Sequence, residues 1–520
     1  MVSQKTLRKN KASHPVKWDR EADVIVAGYG GAGAAAAIAA HDEGAEVIIL
    51  ESMPQGGGNT RVSMGGFLCP TNAQDAVTYI TGLYEFSRSE FDPEVIRIFA
   101  EEAIKNVDWI KSLKEGTEVQ IYGHAGFPQV PGAASMNKYL VKGKGKGMTV
   151  FAEHLWSLLT YAVEEKRKIP VLTDTPAKNL ITNSAGEVIG LMAGEGSRDI
   201  SIRANRAVIL TTGGYEYDQK TLQNNVKGFP IYSFGNPGNR GDGIRMAQKA
   251  GAGLWHMNCV SCGLGLKVPE FEAAIMIVIR APGHILVDRH GERFVNESAI
   301  ESHAGLLAVD YYNSHTLEYT RIPCYAIFDE TARLAGPISV ATGLGATGRQ
   351  YTWSRDNSAE IEKGWIIKAE TLAELAQKLK INPDTLESTV SRWNRDIREE
   401  GIDSCFGRTK YPQMTEKPAY TEPELPVQSS PLENPPFYAL ELYPSLLNTQ
   451  GGPRRNSTAQ VLDAFGDPIP RLYSAGELGS MWGLIYQGAG NIAECLVFGR
   501  IAGRNAAHEK PWAGKIQQTG

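Results

Sequence analysis

The residues whose spacing most directly suggests chemistry are the glycines of a GxGxxG pattern at 28–33. In this pattern the first glycine permits a tight turn, the second lets the backbone approach a pyrophosphate, and the third lets a helix pack closely against a strand. The start of such a helix also offers free N–H groups to phosphates. The pattern therefore predicts a dinucleotide site, to which this turn contributes Gly28, Gly30, Gly31, Ala32 and Gly33.

The elements around this turn form one βαβ unit. Apolar runs predict buried parallel strands at 23–28 and 46–51, and an alanine-rich segment predicts a helix at 31–43. The second strand ends at Glu51, 18 residues past the last glycine of the pattern. An acid in this place can bind ribose hydroxyls, so Glu51 and the adjacent Ser52 join the predicted site.

A second match to GxGxxG lies at 343–348. The segment that follows it, RQYTWSRDNS, does not have the pattern of an alanine-rich helix, and no strand that ends in an acid comes after it. We predict a loop here, and therefore one dinucleotide site in the chain rather than two.

Other apolar patterns predict the elements that must surround the site. These are amphipathic helices at 92–113 and 148–166, β-like runs over 170–210 with a hairpin turn at 184–186, a buried strand at 207–212, helical structure at 370–400 with a cap at Thr371, and a proline-rich linker at 411–436.

The composition changes twice along the chain. After about residue 265 charged and aromatic residues increase, and the glycine-rich strand–turn–helix style returns near the C-terminus. We expect an α/β protein in which a Rossmann-type nucleotide domain comprises two segments, 18–265 and 433–513, with an inserted α+β capping domain at 266–432 that carries the catalytic and substrate-binding residues.

Bulk composition excludes several classes of protein. The chain has 520 residues, 42% of them hydrophobic and 21% charged, and a net charge of −5, a profile of a soluble globular enzyme with more than one domain. No basic stripe suggests nucleic-acid binding, and no apolar window is long enough for a membrane span. The basic N-terminus lacks an apolar stretch, so no secretory signal is predicted and a cytoplasmic location is the default expectation.

Six scattered cysteines do not suggest a disulfide framework. Cys259 and Cys262 form a lone CxxC without the second pair that a zinc site needs. We predict no metal site and favour ordinary buried thiols, with a redox or metal role as the alternative.

A second glycine-rich loop distinguishes between the possible dinucleotides. It comprises GGGNT at 56–60 and SMGG at 63–66. An NAD site does not need such a loop, whereas the isoalloxazine ring of a flavin must be flanked closely by backbone. Gly57, Gly58, Asn59, Thr60, Gly65 and Gly66 are the residues that this loop adds to the predicted site.

With this loop the sequence resembles the flavoprotein family of fumarate reductases, succinate dehydrogenase flavoprotein subunits and 3-ketosteroid dehydrogenases. The resemblance continues over roughly residues 20–300 and 435–508. It is carried by AVILTTGGY at 207–215, GNRGDGIRMA at 238–247, ILV followed by GERFVNE at 285–297, and LYSAGE, GAGNI and FGR at 472–500.

The resemblance implies non-covalently bound FAD. Glu477 would hold the ribitol hydroxyls, and the helix start at Gly490, Asn491 and Ile492 would present backbone N–H groups to the flavin O2 side, where they favour the negative charge of reduced flavin. The remaining cofactor contacts that it implies are Ala177, Thr212, Gly213, Gly214, Asp242 and Gly476.

The substrate side departs from the fumarate reductases, which clamp carboxylates with arginines. This chain has Tyr486 at the first of these places and SAIESH, without an arginine, at 298–303 in the second. Ketosteroid dehydrogenases have a tyrosine at the place that matches Tyr486, but their further tyrosine after RFxNE is not matched, because Ile300 falls near that point. Candidate catalytic residues are therefore Tyr486, His303 and Tyr311; Arg454 and Arg455 are weaker candidates for an anionic group.

Three hypotheses follow. The first is an enzyme that moves a hydride between flavin N5 and a carbon β to a carbonyl, with an enone or ketone as substrate and an unidentified electron donor or acceptor as partner. The second keeps the fold but takes an α,β-unsaturated carboxylate, held by other arginines. The third is an FAD-binding protein without turnover.

Overall fold

The computed structural model describes residues 17–145, 148–279, 283–339, 351–410 and 429–512. In chain order its strands are β1 (Arg20–Ala27), β2 (Val47–Leu50), β3 (Phe67–Leu68), β4 (Val119–Gly123), β5 (Lys138–Val141), β6 (Val171–Leu172), β7 (Ala177–Thr182), β8 (Val188–Glu195), β9 (Arg198–Leu210), β10 (Tyr232–Ser233), β11 (Leu254–Trp255), β12 (Val260–Leu266), β13 (Ile275–Met276), β14 (His284–Val287), β15 (Tyr312–Asn313), β16 (Glu318–Tyr319), β17 (Cys324–Asp329), β18 (Ile366–Ala369), β19 (Phe437–Thr449), β20 (Gly452–Pro453), β21 (Gln460–Leu462) and β22 (Pro468–Ser474).

The helices of the same residues are α1 (Gly31–Asp42), α2 (Gly58–Val62), α3 (Ala73–Ser87), α4 (Pro93–Ala103), α5 (Asn106–Leu113), α6 (Met148–Thr160), α7 (Gln219–Asn225), α8 (Asp242–Lys249), α9 (Gly305–Val309), α10 (Glu330–Leu334), α11 (Ser358–Glu362), α12 (Leu372–Leu379), α13 (Pro383–Glu399) and α14 (Gly490–His508). Short 3₁₀ turns occur at Ala133–Ser135 and Glu297–Ala299, and α6 continues into a π-helical turn at Tyr161–Lys166. None of these helices is long and apolar enough to cross a bilayer.

The larger sheet carries the nucleotide fingerprint. Its strand order is β21-β22-β9-β1-β2-β6, and the pairs β22–β9, β9–β1, β1–β2 and β2–β6 are parallel. Helix α1 connects β1 to β2, as predicted, and α14 packs along it so closely that a Cβ on Gly503 would lie 2.2 Å from the carbonyl oxygen of Ala36. The alanines of α1 are buried in this contact, which explains why the helix has almost no large side chains.

Most of the predicted elements are present, with small changes at their ends. The segment 92–113 contains two helices, α4 and α5, rather than one. The hairpin at 184–186 joins β7 to β8, and Thr371 caps α12 by accepting a hydrogen bond from the N–H of Glu374. The GxGxxG match at 343–348 and residues 411–428 of the predicted linker lie outside the described residues.

A second, seven-stranded sheet has the order β13-β12-β19-β17-β14, with β10 and β18 also paired to β19. The return of β22 to the larger sheet supports the proposed division into two nucleotide-binding segments. The pairing of β19 with β12 and β17 would place the start of the second segment after Thr449 rather than at residue 433. A third, small sheet, β3-β5-β4, lies beside the glycine-rich loop that precedes β3.

Candidate functional site

A cavity of about 850 Å³ opens at the carboxyl ends of β1, β2 and β9, where ligands bind in parallel α/β sheets. Its other walls come from the small sheet, the second sheet and the start of α14. The predicted cofactor residues that line it are Gly28, Gly30, Gly31, Ala32, Glu51, Ser52, Gly58, Asn59, Thr60, Gly66, Ala177, Thr212, Gly213, Asp242, Glu477, Asn491 and Ile492.

The three glycines of the fingerprint differ in what they do. Gly28 has φ +109°, and a Cβ there would lie 2.3 Å from the carbonyl oxygen of Thr211. A Cβ on Gly33 would lie 2.0 Å from the carbonyl oxygen of Gly28. The nearest atom to a Cβ on Gly30 is 3.7 Å away, an ordinary contact. Gly28 and Gly33 are therefore needed for the turn itself, whereas Gly30 leaves space that faces the cavity.

The remaining predicted cofactor glycines stand behind the lining rather than in it. The missing side chain of Gly214, for example, lets the carboxylates of Glu477 and Glu216 approach, because a Cβ there would be 2.3 and 2.6 Å from their oxygens. The members of this group are Gly33, Gly57, Gly65, Gly214, Gly476 and Gly490.

The loop 57–60 is fastened to the fingerprint turn. Gly57 forms a bridge with Gly30, and Thr60 Oγ1 accepts a hydrogen bond of 3.0 Å from the N–H of Gly31. Glu51 accepts hydrogen bonds from the N–H groups of Tyr29 (2.9 Å) and Met53 (2.8 Å), so its carboxylate is held at the edge of the cavity. This placement fits a ribose contact.

Two buried carboxyl groups meet under the far end of the predicted cofactor site. The amide of Asn59 donates to Glu216 at 2.7 Å and to Glu477 at 2.8 Å. Burial raises the pKa of both acids, and for Glu477 the neighbouring Glu216 raises it further. A carboxyl group that keeps its proton can donate as well as accept, which suits ribitol hydroxyls. Glu216 directly follows the quoted segment 207–215, yet it was not predicted.

The lining of the cavity shows whether these residues fit a flavin dinucleotide. Helix α1 begins at the cavity, and its N-cap residue, Gly30, has no side chain that could accept a hydrogen bond from the N–H groups of the first turn. A Cβ on Gly30 would meet no atom closer than 3.7 Å, so the backbone there is open to a ligand. A pyrophosphate suits such a helix start, so the residues fit FAD.

The start of α14 differs in detail from the expectation. The N–H of Gly490 donates to the carbonyl of Gln487 at 2.9 Å, and the N–H of Asn491 donates to the hydroxyl of Tyr486 at 3.1 Å. Two of the N–H groups assigned to the flavin thus have acceptors within the chain, and the Tyr486 oxygen lies at the positive end of a helix.

Tyr486 and His303, two of the predicted catalytic residues, are brought together in the cavity. Their ring centroids are 5.1 Å apart in an edge-to-face contact, and both residues line the cavity. Burial raises the pKa of Tyr486, and the charge of Glu301 raises it further although the hydrogen bond from Asn491 opposes this. The phenol therefore stays protonated at neutral pH.

Glu301 holds His303 in place. Its carboxylate accepts hydrogen bonds of 2.7 Å from the backbone N–H and from the Nδ1 side of the ring. Burial alone would raise the pKa of Glu301, but the charge and hydrogen bonds of His303, and the charge of Lys138, lower it. Glu301 is thus an ionised group that the sequence analysis passed over, although it lies within the quoted segment 298–303.

Tyr311, Arg454 and Arg455 do not line the cavity. Tyr311 is half exposed, with the guanidinium of Arg321 4.8 Å from its ring centroid, because it follows the end of α9 at the surface. We therefore leave it out of the proposed site. Arg454 pairs with Glu90 near the surface, and Arg455 is fully buried against Glu494.

The CxxC cysteines behave as buried thiols. Burial raises the pKa of Cys259 and of Cys262 to about 12, so neither is a thiolate at neutral pH. This favours the ordinary interpretation of the pair over a reactive one.

The fold and the cavity together define an α/β protein that binds a flavin dinucleotide. The family described as "FAD binding domain" matches residues 23–492, and the chain belongs to it. The protein is an FAD-dependent oxidoreductase.

Similar proteins include both a fumarate reductase and 3-ketosteroid dehydrogenases. A fumarate reductase (cytochrome) of Shewanella frigidimarina is 29% identical over 501 residues, which cover 93% of this chain and 77% of that protein. A 3-oxosteroid 1-dehydrogenase of Mycolicibacterium smegmatis is 26% identical, with 94% and 97% covered. The structure of a 3-ketosteroid Δ1-dehydrogenase from Sterolibacterium denitrificans shares the fold, with a TM-score of 0.79, 22% identity, and 94% and 99% covered.

Replacing Gly30 with valine should abolish FAD binding without unfolding the protein. A Cβ at this position would meet no atom closer than 3.7 Å, whereas the valine side chain would fill the space through which the backbone approaches the pyrophosphate. Flavin absorbance per protein after purification measures the loss, and the thermal midpoint of the apo form shows whether the fold survives. A yellow Gly30→Val protein with normal flavin content would place the pyrophosphate elsewhere.

Proposed function

We propose that this enzyme transfers a hydride between flavin and a carbon–carbon bond next to a carbonyl, with an enone or ketone as substrate. The observation that carries the proposal is Tyr486: a buried phenol faces the cavity at the place where a carboxylate-binding relative would have an arginine. Part of the cavity lining is apolar and suits an uncharged ring system or chain. It includes Leu264, Met276, Ile277, Val278, Leu442 and Leu447.

Tyr486 and His303 are the residues that would handle protons in such a reaction. Bound FAD supplies a two-electron carrier that exchanges a hydride with carbon. In the reducing direction the double bond gains a hydride at the β-carbon and a proton at the α-carbon. Tyr486 is protonated and positioned, so it supplies that proton or a hydrogen bond to the carbonyl oxygen. His303, fixed by Glu301 and in contact with the Tyr486 ring, is the second group able to carry a proton.

The second candidate is an α,β-unsaturated carboxylate reductase. One observation favours it: two cations, Lys138 and Arg408, line the cavity. Arg408 is already engaged, since it donates to Glu297 at 3.1 Å and to the carbonyl of His284 at 2.6 Å. It is the single arginine among the lining residues that the structure describes, so the bidentate clamp expected for a dicarboxylate lacks a second member there.

A substrate screen separates these candidates. Enzyme reduced with dithionite under anaerobic conditions is mixed with enones or with acrylate-type acids, and the return of oxidised-flavin absorbance is followed. Rapid reoxidation by enones supports the first candidate, and rapid reoxidation by the acids supports the second. No response to either class would favour an FAD-binding protein without turnover. The electron partner and a cytoplasmic location stay predictions.

Fumarate should be a poor oxidant of the reduced enzyme. The reason is Tyr486 in place of an arginine and Glu301, an ionised carboxylate, on the same side of the cavity. We expect fumarate to reoxidise the flavin at least about tenfold more slowly than an enone, since a lost charge-assisted contact costs more than about 1.4 kcal/mol. Comparable rates would show that other residues of the protein clamp a dicarboxylate.

A further inference from the structure

Lys138 is a buried cation that the sequence analysis did not single out. It begins β5, where it pairs with Leu68 of β3, and only 4% of it is exposed. Lysines are almost never so buried unless their charge has a partner or a purpose. Lys138 lines the substrate side of the cavity together with His303, Glu301 and Tyr486.

The loop between Tyr486 and α14 brings Lys138 and His303 to one point. A Cβ built on Gly488 would lie 3.5 Å from Lys138 Nζ and 3.0 Å from His303 Cε1. The absence of a side chain at Gly488 therefore leaves a space that the ammonium group and the imidazole both border. Tyr486, whose ring contacts His303, lies two residues before Gly488.

We propose that Lys138 Nζ binds the carbonyl oxygen of the substrate and stabilises the negative charge that this oxygen gains. This inference rests on the proposed function. When a hydride adds to the β-carbon of an enone, the C=C electron pair moves to the α-carbon–carbonyl bond and the C=O pair moves to oxygen. An ammonium group on that oxygen lowers the energy of the resulting enolate. Tyr486 is then left to deliver the proton to the α-carbon, which completes the reduction.

The charge around Lys138 favours a carbonyl over a carboxylate. The charge of Lys138 helps to lower the pKa of Glu301, which is ionised, so the ammonium group of Lys138 already has a negative neighbour. A neutral carbonyl adds no charge when it binds and acquires one only as the hydride arrives, whereas a carboxylate adds a second negative charge in the ground state. The site is thus matched to the reaction's intermediate rather than to an acid.

A phenolate serves as a stable mimic of this enolate. 4-Nitrophenol has different absorption in its ionised and neutral forms, so the form bound to the oxidised holoenzyme is read directly. We expect the wild-type protein to bind the ionised form, Lys138→Met to bind it at least tenfold more weakly, and Lys138→Arg to keep most of the affinity. Nitrobenzene, which has the nitro group but lacks the phenolic oxygen, should bind all three proteins equally. If Lys138→Met loses flavin or folds poorly, Lys138→Gln replaces it.

Steady-state turnover of the same variants is the second test of the role of Lys138. Lys138→Met should lower kcat/KM for an enone by about 10²–10³-fold, the usual loss of one oxyanion donor. Lys142→Met is the matched control. Lys142 directly follows β5, is exposed and pairs with Glu118, so its replacement should leave both kcat/KM and phenolate binding unchanged. Phenolate binding by Lys138→Met equal to that of the wild type overturns the inference. A wild-type protein that binds phenolate through Lys138 but turns over no enone would overturn the proposed function instead.

Discussion

Phenylalanine in place of Tyr486 should slow the reaction of reduced enzyme with an enone by roughly 10²–10⁴-fold, the usual worth of a positioned acid or base. The change removes one oxygen and keeps the ring, which packs edge-to-face against His303 and Trp482. Burial raises the pKa of the phenol, so the wild-type residue holds its proton throughout the neutral range. Stopped-flow absorbance of the half-reaction measures the effect without interference from the unknown electron donor.

The same substitution should cost a small amount of stability. The Tyr486 hydroxyl accepts the N–H of Asn491, and phenylalanine leaves this group without that acceptor. Asn491 is partly buried, so its unsatisfied N–H costs at most about 1–3 kcal/mol, which a modest fall in thermal midpoint would show. Flavin content should stay near that of the wild type, so a slow variant that remains yellow separates catalysis from cofactor loss.

Tyr312→Phe is the matched control for this experiment. Tyr312 is half exposed on β15 and lies outside the cavity, and its replacement by phenylalanine also removes one phenolic hydroxyl. The half-reaction of this variant with an enone should be as fast as that of the wild type. If Tyr486→Phe also changes the half-reaction by only a few fold, Tyr486 merely lines the pocket, and His303 becomes the group to examine.

The cofactor side of the site could be predicted because its signal is local in sequence. The turn at 28–33 and the acid at Glu51 belong to one βαβ unit, in which strand, turn and helix follow each other directly. The geometry of Gly28 and Gly33 is determined by atoms within that unit and in Thr211 and Thr212, which directly follow the adjacent strand β9. Such short-range demands leave a recognisable pattern of glycines.

The substrate side could be predicted only in part, because its members come from distant segments. Lys138 is on β5, Glu301 and His303 precede α9, and Tyr486 precedes α14. No spacing rule connects these positions, which come together only because β5, the segment before α9 and the loop before α14 all border one cavity in the folded chain. His303 and Tyr486 were found as departures from a family pattern. Glu301 lies in the same departing segment, 298–303, but was not chosen as a candidate, and Lys138 lies outside every motif that carries the resemblance.

Charged residues beside a motif were the hardest to interpret. Arg454 and Arg455 are adjacent in sequence and equally basic, yet one lies near the surface and the other is completely buried. Alternation along an extended segment separates their directions, but which direction leads to the cavity depends on the pairing of distant elements. In the structure neither reaches it.

The buried pair of Arg455 and Glu494 should be essential for stability. Arg455 also donates to the carbonyls of Leu478 (3.1 Å) and Gly479 (2.8 Å), and Glu494 accepts from Ser480 Oγ at 2.6 Å. Removing one member of such a pair leaves an uncompensated buried charge, which costs about 3–5 kcal/mol. We expect Arg455→Met to lower the thermal midpoint of the apo protein by several degrees. Because these contacts flank Glu477, the Arg455→Met variant should also release FAD faster than the wild type.

A double variant separates the charge from the packing of this arginine. In Arg455→Met with Glu494→Gln the unpaired charge is gone, and the glutamine oxygen still accepts from the N–H of Met481, which Glu494 contacts at 2.7 Å. The double variant should therefore be more stable than Arg455→Met alone. Arg454→Met, which removes a surface pair with Glu90, should change stability by no more than about 1 kcal/mol. If the single and double variants are equally unstable, the cost comes from lost packing against Phe498, whose ring centroid is 4.9 Å from the Arg455 guanidinium, and not from the isolated charge of Glu494.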